Sequence, residues 1–401
     1  MIREPYKWRM EQAYLAALCL YLFLLFVNQT ELLILLSDRE QALIQKARYL
    51  CYLVFVIKLI SVPVYSRRDL LFGAAAAVCV LLCVWCSHTR KLAFTALAVF
   101  AAYDCDGRRI LRCAFAVFAA GLAATLLLCA AGVLQNVVLD ASRNRQNLGF
   151  NWVTLAPIYF LFISIAWVNL RGARVSWAEI LLMELCCVLL YCATNTRLTF
   201  LLNSVFLAVA AVELRLLHDR WQLLRALGRQ SVILPLLAVL LVFAVQMAYQ
   251  PSGFWLKLDE LLSERLSLAA QSFQSLPVKL FGQQIRWNGF SLDADYLKPK
   301  TGAVYNNVDC SYFRILFDYG IAGLVLAVSL YSWGVYKAAA AKDPLLVWSY
   351  LLVLVFCISE QWILELSFNY FPLVAAARLS PRPALPDRRI RFHAHAEGGG
   401  A

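Results

Sequence analysis

The sequence predicts an all-α, polytopic integral membrane protein with about twelve transmembrane helices and one large extracytoplasmic loop. Of its 401 residues, 62% are apolar and only 15% are charged, whereas a soluble domain has about 25% charged residues. Apolar runs of roughly 18 or more residues recur along the chain, and each can cross a hydrocarbon core of about 30 Å as a helix. Basic residues are concentrated in the short loops between these runs.

The apolar segments are separated by short polar connections, except for one long connection at 250–309 that is the predicted large loop. We therefore expect a single membrane domain over 1–379, followed by a Pro- and Arg-rich tail at 380–401 that we expect to be disordered. In chain order, the segments lie at 13–36, 49–65, 70–86, 92–104, 112–135, 150–169, 177–193, 198–214, 231–249, 310–334, 345–360 and 362–378.

The distribution of basic residues predicts the orientation. If the N-terminus is cytoplasmic, every cytoplasmic connection is basic, as the positive-inside rule requires. Both termini are then cytoplasmic, and the segments around 136–150, 194–197, 250–309 and 360 lie outside. The basic residues that support this orientation are Arg3, Lys7, Arg9, Arg67, Arg68, Arg108, Arg109, Arg112, Arg171, Arg174, Arg215, Arg220, Arg225, Arg229, Lys337 and Lys342.

The large loop contains a stretch with helical periodicity. Its apolar residues are spaced as on one face of a helix, which predicts an amphipathic helix near 260–275 lying along the membrane surface. Arg265 falls within this stretch, and Arg286 follows it beside Trp287. The helix is either a lid anchored by its apolar face or part of a ligand site. The apolar residues are Leu262, Leu266, Ala269, Ala270 and Phe273.

Two further outer segments carry arginines. Arg197 sits in the tight turn TNTRLTF between two apolar segments, where it either snorkels to the interface or binds an anion through its planar set of donors. The stretch ASRNRQNLGFNW places positive charge outside, against the topology rule, unless these residues only solvate the loop. The candidate residues in this stretch are Arg143, Arg145, Asn147 and Asn151.

A polar run precedes the tenth apolar segment and leads into two charged residues. Asp309 is placed to cap the helix, and a partly buried carboxylate there can also serve as a general base. Arg314 and Asp318 are four residues apart and can pair on one helical face. Further candidate substrate-binding residues near this region are Tyr305, Asn307, Tyr312 and Glu360.

The sequence excludes several other kinds of function. It contains no Gly-rich phosphate loop, no GxSxG and no HExxH motif. Of the four histidines, only His88 is predicted outside, so neither a zinc site nor a cofactor site is expected. The net charge of +12 does not indicate nucleic-acid binding, because the chain has no basic, water-facing domain.

Four stretches resemble the Wzy-type bacterial polysaccharide polymerases, which are related in fold to the O-antigen ligases. They are RQNLGFNW, TNTRLTF, ERLSLAAQSFQSLPVKLFGQQIRW and YNNVDCSYFRILFDYGI, and they occur in the order of that family. The family's GFxHPN-like pattern reads GFNWVT here, and its DNSY reads DCSY.

The resemblance implies a GT-C-like glycosyltransferase of the bacterial cytoplasmic membrane with an extracytoplasmic active site. Such an enzyme transfers a growing glycan from polyprenyl diphosphate to the terminal sugar of another lipid-linked repeat unit. It builds capsule, exopolysaccharide or O-antigen, with a flippase and a chain-length regulator as expected partners of the same pathway.

The resemblance also implies that arginines hold the diphosphate, which maps onto Arg197 and Arg265, with Arg143, Arg145 and Arg286 as further candidates. An arginine at the interface can neutralise charge on the leaving diphosphate without a metal. Asp309 is the first candidate for the base that deprotonates the acceptor hydroxyl, followed by Asp293, Asp295 and Glu360.

Two alternatives remain at this stage. An O-antigen ligase-like transferase would share the fold and donor, but it is expected to use a histidine in the large loop, where this chain has none. A transporter or flippase of lipid-linked sugars would show internal repeats, and the two halves of this sequence show no convincing repeat.

Overall fold

The computed structural model describes residues 4–61, 66–140, 145–212, 228–262, 264–288 and 306–379. Of these residues 76% are helical, so the all-α prediction is confirmed for the described part of the chain. The one sheet found there has two antiparallel strands, β1 (Val138–Asp140) and β2 (Arg145–Gln146).

The first half of the chain forms α1 (Glu4–Val27), α2 (Leu32–Leu35), α3 (Asp38–Ser61), α4 (Arg67–Ser87), α5 (Lys91–Ala101), α6 (Gly107–Ala130), α7 (Leu155–Arg171), α8 (Trp177–Thr194) and α9 (Arg197–Ala211). After a 3₁₀ segment at Gly228–Ile233, the second half forms α10 (Leu234–Ala248), α11 (Phe254–Leu261), α12 (Arg265–Ser275), α13 (Ser311–Ala340), α14 (Pro344–Ser359) and α15 (Phe371–Ala376).

Seven helical segments in the described residues are long and apolar enough to cross a membrane. Three further apolar helices, α5, α9 and α14, are shorter. The chain is therefore a multi-pass membrane protein by length and composition, and the number of twelve crossings stays a prediction. The seven segments are Tyr6–Val27, Arg67–Ser87, Gly107–Ala130, Leu155–Arg174, Trp177–Thr194, Gln230–Ala248 and Ser311–Ala340.

Contacts between distant parts of the chain define one end of the helical bundle, which we call the basic end. The backbone N–H of Gly107 donates to the carbonyl of Arg378 at 2.9 Å. The guanidinium of Arg378 lies 2.9 Å from the Asp104 carboxylate, and Lys7 lies 3.9 Å from the same group. The start of α1, the end of α5, the start of α6 and the end of α15 thus meet here.

The opposite end, which we call the loop end, is held by polar contacts of the loops. Asn147 is fully buried, and its side chain donates to Glu31 at 2.6 Å. Asn151 donates to the carbonyl of Asn28 at 2.7 Å, and Lys91 forms an ion pair with Glu365. The end of α1, the start of α3, the start of α5 and the loop before α7 meet at this end. The side of the membrane that each end faces stays a prediction.

The last apolar segment differs from the helix expected at 362–378. Residues 360–370 are irregular, and only Phe371–Ala376 form a helix. The backbone is buried in protein, and Asn369 bonds the carbonyls of Trp362 (3.1 Å) and Ile363 (2.9 Å) through its side-chain amide. Irregular backbone is tolerated at membrane depth when protein groups satisfy it in this way.

Helix α13 is interrupted at Gly320, a third of the way along its 30 residues. Gly320 has φ +74°, ψ −172°, so the helix breaks there, and the extended segment that follows α12 crosses it. Gly282, with φ +81°, lies at the crossing, where a Cβ atom would collide with the backbone of Asp318. The freed amides of α13 are used by this segment, since Ala322 N–H donates to the carbonyl of Leu280 at 2.9 Å. Only glycine adopts such backbone without strain in so close an approach.

Candidate functional site

Charged residues from three separate stretches meet at the loop end in a network that we call the charge cluster. Two guanidinium groups alternate with three carboxylates. Each guanidinium contacts side chains from two parts of the chain. One part is the end of the loop before α13 together with the first turns of α13, and the other is the segment directly after α14. The members are Arg265, Trp287, Asn307, Asp309, Arg314, Asp318, Glu360 and Gln361.

Arg265 lies at the centre of one half of the cluster. Its Nε lies 3.6 Å from Asp309 Oδ2, and one of its terminal nitrogens lies 3.4 Å from Glu360 Oε1. The side chain is 26% exposed. Arg265 is the first residue of α12, and the free amides of that helix turn are bound by the buried Asp259, which accepts from Leu266 at 2.8 Å. Asp259 therefore positions the helix start that carries Arg265.

Glu360 is held from several sides. It follows the last residue of α14 in extended conformation, and its carbonyl accepts the hydroxyl of Ser311, the first residue of α13. Its carboxylate accepts from the indole of Trp362 at 3.0 Å and from Arg265. The ends of α13 and α14 thus fix this carboxylate, which is only 12% exposed.

Arg314 organises the other half of the cluster. Its guanidinium bonds Asp318 at 2.9 Å, Asn307 at 2.7 Å and Gln361 at 2.7 Å, and it lies 4.2 Å above the ring of Trp287. The Arg314–Asp318 pair expected from the four-residue spacing is present. Asn307 links the two halves, because its amide also donates to Asp309 at 2.8 Å. Arg314 bonds three side chains through Nε and one terminal nitrogen, so it braces the cluster.

The environment changes the protonation of two carboxylates. Burial raises the pKa of Glu360 to about 7, against the opposing effect of Arg265, and nearby Asp309 adds to the rise. Burial also raises the pKa of Asp309, although Arg265, Arg314 and Asn307 oppose this. Two carboxylates that compete for one guanidinium, one of them with a pKa near neutrality, are suited to accept a proton at physiological pH.

Two predicted arginines lie elsewhere at the loop end. Arg197 begins α9 and is exposed, and it forms no ion pair with another described residue. Nε of Arg145 donates to the carbonyl of Thr194 at 3.3 Å, which brings β2 to the turn before Arg197. Helix α9 packs against α14, the helix that leads to Glu360. No contact of Arg197 with the charge cluster is present among the described residues.

Other predicted site residues have structural contacts. Asn147 and Asn151 hold the loop before α7 against the end of α1. Tyr312 is buried, and its hydroxyl donates to the carbonyl of Leu354 at 2.8 Å. Arg286 is exposed, next to Trp287. The remaining candidates, Arg143, Tyr305, Asp293 and Asp295, and the tail at 380–401 lie outside the described residues.

Two contributors to the cluster were not expected from the sequence. Asp259 precedes Arg265 by six residues, and its role depends on the turn that folds it back over the start of α12. Trp362 supplies an indole N–H to Glu360 from the irregular segment that the apolar pattern predicts as helix. Within the described part of the chain, no group of three or more His, Cys, Asp or Glu side chains is arranged to hold a metal ion.

Comparisons of the chain with known protein families, with curated proteins and with solved structures find no match.

Proposed function

We propose that the protein is a membrane glycosyltransferase of GT-C type that polymerises lipid-linked oligosaccharide repeat units. The donor is a growing glycan on polyprenyl diphosphate, and the acceptor is the terminal sugar of another lipid-linked unit. The reaction takes place at the loop end of the bundle, on the extracytoplasmic face of a bacterial cytoplasmic membrane.

The observation that carries the proposal is the position of Arg265 between Asp309 and Glu360, at the end of a bundle of apolar helices. A lipid-borne diphosphate reaches this level of a membrane with its anionic group at the interface. A guanidinium can bind the phosphate oxygens through two parallel hydrogen bonds. A carboxylate with a pKa of about 7 lies within hydrogen-bond distance of that guanidinium.

The arrangement suggests a reaction step in which proton transfer and charge stabilisation are linked. The acceptor hydroxyl oxygen attacks the anomeric carbon of the donor sugar, and its proton passes to the carboxylate of Glu360. The bond between the anomeric carbon and the diphosphate oxygen breaks, and the electron pair leaves with the lipid diphosphate. Protonation removes the ion pair between Glu360 and Arg265. The terminal nitrogen of Arg265 that held Glu360 is then available to the leaving diphosphate as its charge develops, while Nε stays near Asp309.

Exposed cations at the same end support recruitment of the anionic donor. Arg197, the first residue of α9, and Arg286, in the segment after α12, are both exposed, and Arg145 lies against the turn that precedes Arg197. A positive surface of this kind attracts an anionic headgroup before it enters the site. We assign these residues to diphosphate binding and Arg265 to stabilisation of the leaving group.

The test uses lipid-linked repeat units extracted from a strain in which this gene is deleted, since such a strain accumulates unpolymerised units. Purified protein in detergent is mixed with these units, and the products are separated by size. We expect a ladder of longer glycans with wild-type protein. We expect a strongly reduced ladder with Arg265→Ala, and a wild-type ladder with Lys257→Ala, which replaces an exposed residue of α11.

A transporter of lipid-linked sugars forms no bond and would give no ladder in detergent, so a folded protein that gives none would contradict the proposal. An O-antigen ligase-like enzyme would instead add glycan once to a different acceptor. Supplying lipid A core as acceptor in a parallel reaction distinguishes this outcome, because single transfer to the core without a ladder would favour the ligase.

A further inference from the structure

A polar cavity lies at the loop end, apart from the charge cluster, and none of its cations belongs to that cluster. It has a volume of about 330 Å³ and lies between α1, α3, α5 and the irregular segment after α14. Its walls combine aromatic rings, amides and charges. The lining residues include Gln29, Arg48, Tyr49, Tyr52, Lys91 and Phe94.

Arg48 is the unusual member of this cavity. Its Nε and one terminal nitrogen are buried, and neither donates a hydrogen bond to any described residue. A buried donor without a partner costs about 1 to 3 kcal/mol, and more when it is charged. The other cation, Lys91, is already paired with Glu365. Arg48 lines the cavity and forms no ion pair with another described residue, so the cavity carries a permanent positive charge without an anionic partner in the described part of the chain. An anion in the cavity would supply that partner.

The depth of the cavity identifies where the anion comes from. The residues of α3 before Arg48 are mostly polar, and from Tyr49 onward the helix is almost entirely apolar. Lys91 is the first residue of the apolar helix α5, and Gln29 follows the apolar helix α1 by two positions. Three helices thus change from polar to apolar at the same level, which is where lipid phosphates lie in a bilayer.

The rim of the cavity also reaches a lipid-facing surface. Tyr49 is 58% exposed, and the next apolar residues on the outer face of α3, Leu50 and Leu53, are 58% and 54% exposed. Inside, the rings of Tyr52 and Phe94 are stacked with centroids 4.2 Å apart and form an apolar wall. A lipid can therefore place its phosphate against Arg48 while its chain remains on the outer face of α3.

We propose that this cavity binds the phosphate group of a membrane lipid through Arg48, as a site separate from the charge cluster. The proposal does not depend on glycosyl transfer. The lipid is either a bulk anionic phospholipid or a polyprenyl phosphate, since both present the same phosphate oxygens at this depth. Binding requires both the guanidinium and the membrane-embedded chain of the ligand.

The experiment measures binding by native mass spectrometry on full-length protein in detergent. It is carried out in the Arg265→Ala background, which removes the guanidinium that the charge cluster is proposed to offer to a diphosphate, and the contribution of Arg48 is measured as the difference from its matched control in that same background. The probes are phosphatidylglycerol, farnesyl diphosphate and inorganic pyrophosphate. The variants are Arg48→Gln, Arg48→Lys and the matched control Arg39→Gln, which removes an exposed arginine from the same helix.

We expect Arg48→Gln to weaken binding of at least one lipid probe about tenfold or more, because hydrogen bonds to a charged group are lost. Arg39→Gln should change it less than about twofold, and Arg48→Lys should give an intermediate value, since it keeps the charge and loses the planar set of donors. The lipid that responds identifies the source of the phosphate.

Two results would overturn the proposal. One is unchanged binding of both lipid probes by a monodisperse Arg48→Gln protein, with Arg48→Lys also unchanged. The other is inorganic pyrophosphate binding as tightly as farnesyl diphosphate, which would show that the lipid chain plays no part. The experiment measures binding and not glycan synthesis. It therefore tests this site even if the protein makes no glycan ladder in the polymerisation assay.

Discussion

At the scale of single residues, the proposed chemistry depends on a carboxylate that stays protonated until nearly neutral pH. Glu360 owes this to burial, and the fixed contacts from Ser311, Trp362 and Arg265 keep it in place. A carboxylate with an ordinary pKa would be a weaker base, because its affinity for a proton would be lower.

The pH dependence of polymerisation tests this role. Glu360 accepts a proton only when it is ionised, so with a pKa of about 7 the rate should be low well below neutrality, rise through about pH 7 and level off above it. Glu360→Gln should lower the plateau about a hundredfold or more and abolish this rise. Initial rates of ladder formation across pH measure both effects.

The control for this experiment is Glu260→Gln, which changes an exposed carboxylate on α11 and should keep the wild-type profile. A Glu360→Gln protein that polymerises at the normal rate with an unchanged profile would show that Glu360 is not the base. In that case Asp309→Asn would be measured in the same way, because Asp309 is the other carboxylate whose pKa is raised. A loss of the pH-dependent rise in that variant would identify Asp309 as the base.

Arg265 is expected to act on the leaving group. Loss of one donor to a developing negative charge typically costs about 3 to 4 kcal/mol, or roughly a hundred- to a thousandfold in kcat. Arg265→Ala should show this loss, and Arg265→Lys should recover only part of the rate because it cannot bind two oxygens in parallel. Single-turnover rates with the lipid-linked donor provide the measurement.

The ion pair between Arg265 and Glu360 gives a second test of Arg265, through the pH dependence of the residual activity. The guanidinium favours the ionised form of Glu360, so its removal should raise the pKa of Glu360 further. Any residual activity of Arg265→Ala should therefore need a higher pH than the wild-type activity. A residual rate with the wild-type midpoint would contradict this link between the two residues.

Most residues of the charge cluster could be named from the sequence, but the contacts that bring them together could not. Arg265, Asp309, Arg314 and Glu360 stand out because charge near an apolar segment is costly and is usually retained for a reason. Arg48 was not singled out, because it closes a run of polar residues and looks like an ordinary interfacial arginine. Its lack of partners becomes visible only when α1, α3 and α5 are packed together.

At the scale of the elements, α13 shows why local pattern is not sufficient. Its apolar run reads as one continuous helix, and the break at Gly320 depends on a segment almost forty residues earlier in the chain that crosses it. The same limit applies to 360–370, where buried polar side chains replace the helical hydrogen bonds. Apolar periodicity locates membrane-embedded chain but does not give its conformation.

The crossing predicts the effect of a small substitution. Gly320→Ala places a side chain at φ +74° against the backbone of Gly282 and Leu280, so it should destabilise the protein by about 2 kcal/mol or more. Gly73→Ala is the matched control, because a Cβ atom there meets nothing within 4 Å and the residue lies inside α4. That change should be neutral or stabilising by up to about 1 kcal/mol.

Thermal unfolding of both variants in detergent, followed by the loss of the monodisperse peak in size-exclusion chromatography, compares them directly. Gly320→Ala should lose this peak at a clearly lower temperature than wild type, and Gly73→Ala should not. Equal unfolding temperatures for Gly320→Ala and wild type would show that the helix straightens without cost.

At the scale of the whole molecule, the charge distribution predicted which loops belong together. The segments that were assigned to the cytoplasm on charge, including those around Lys7, Arg108 and Lys337, meet at the basic end with Arg378. The number of crossings was harder to predict, because several helices are too short or too polar at one end to satisfy a length criterion.

The orientation is tested with reporter fusions in bacteria. We expect alkaline phosphatase fused after Lys257 to be active, because the loop end is proposed to face outward. A fluorescent protein fused after residue 401 should fluoresce, because the basic end is proposed to be cytoplasmic. The opposite pattern for both reporters would invert the molecule and place the charge cluster on the wrong side for an extracytoplasmic substrate.

The crossing at Gly282 and Gly320 also ties the two parts of α13 to one segment of the chain. The turns of α13 before Gly320 carry Arg314 and Asp318, and they are fastened to the segment after α12 through Trp287. The remainder of the helix belongs to the bundle. Ile321 and Ala322, which follow the glycine, donate to the carbonyls of Lys279 and Leu280 in the same segment, and Asp318, which precedes it, accepts from Gln283. A displacement of that segment would therefore move both parts of α13 together, and Arg314 with them.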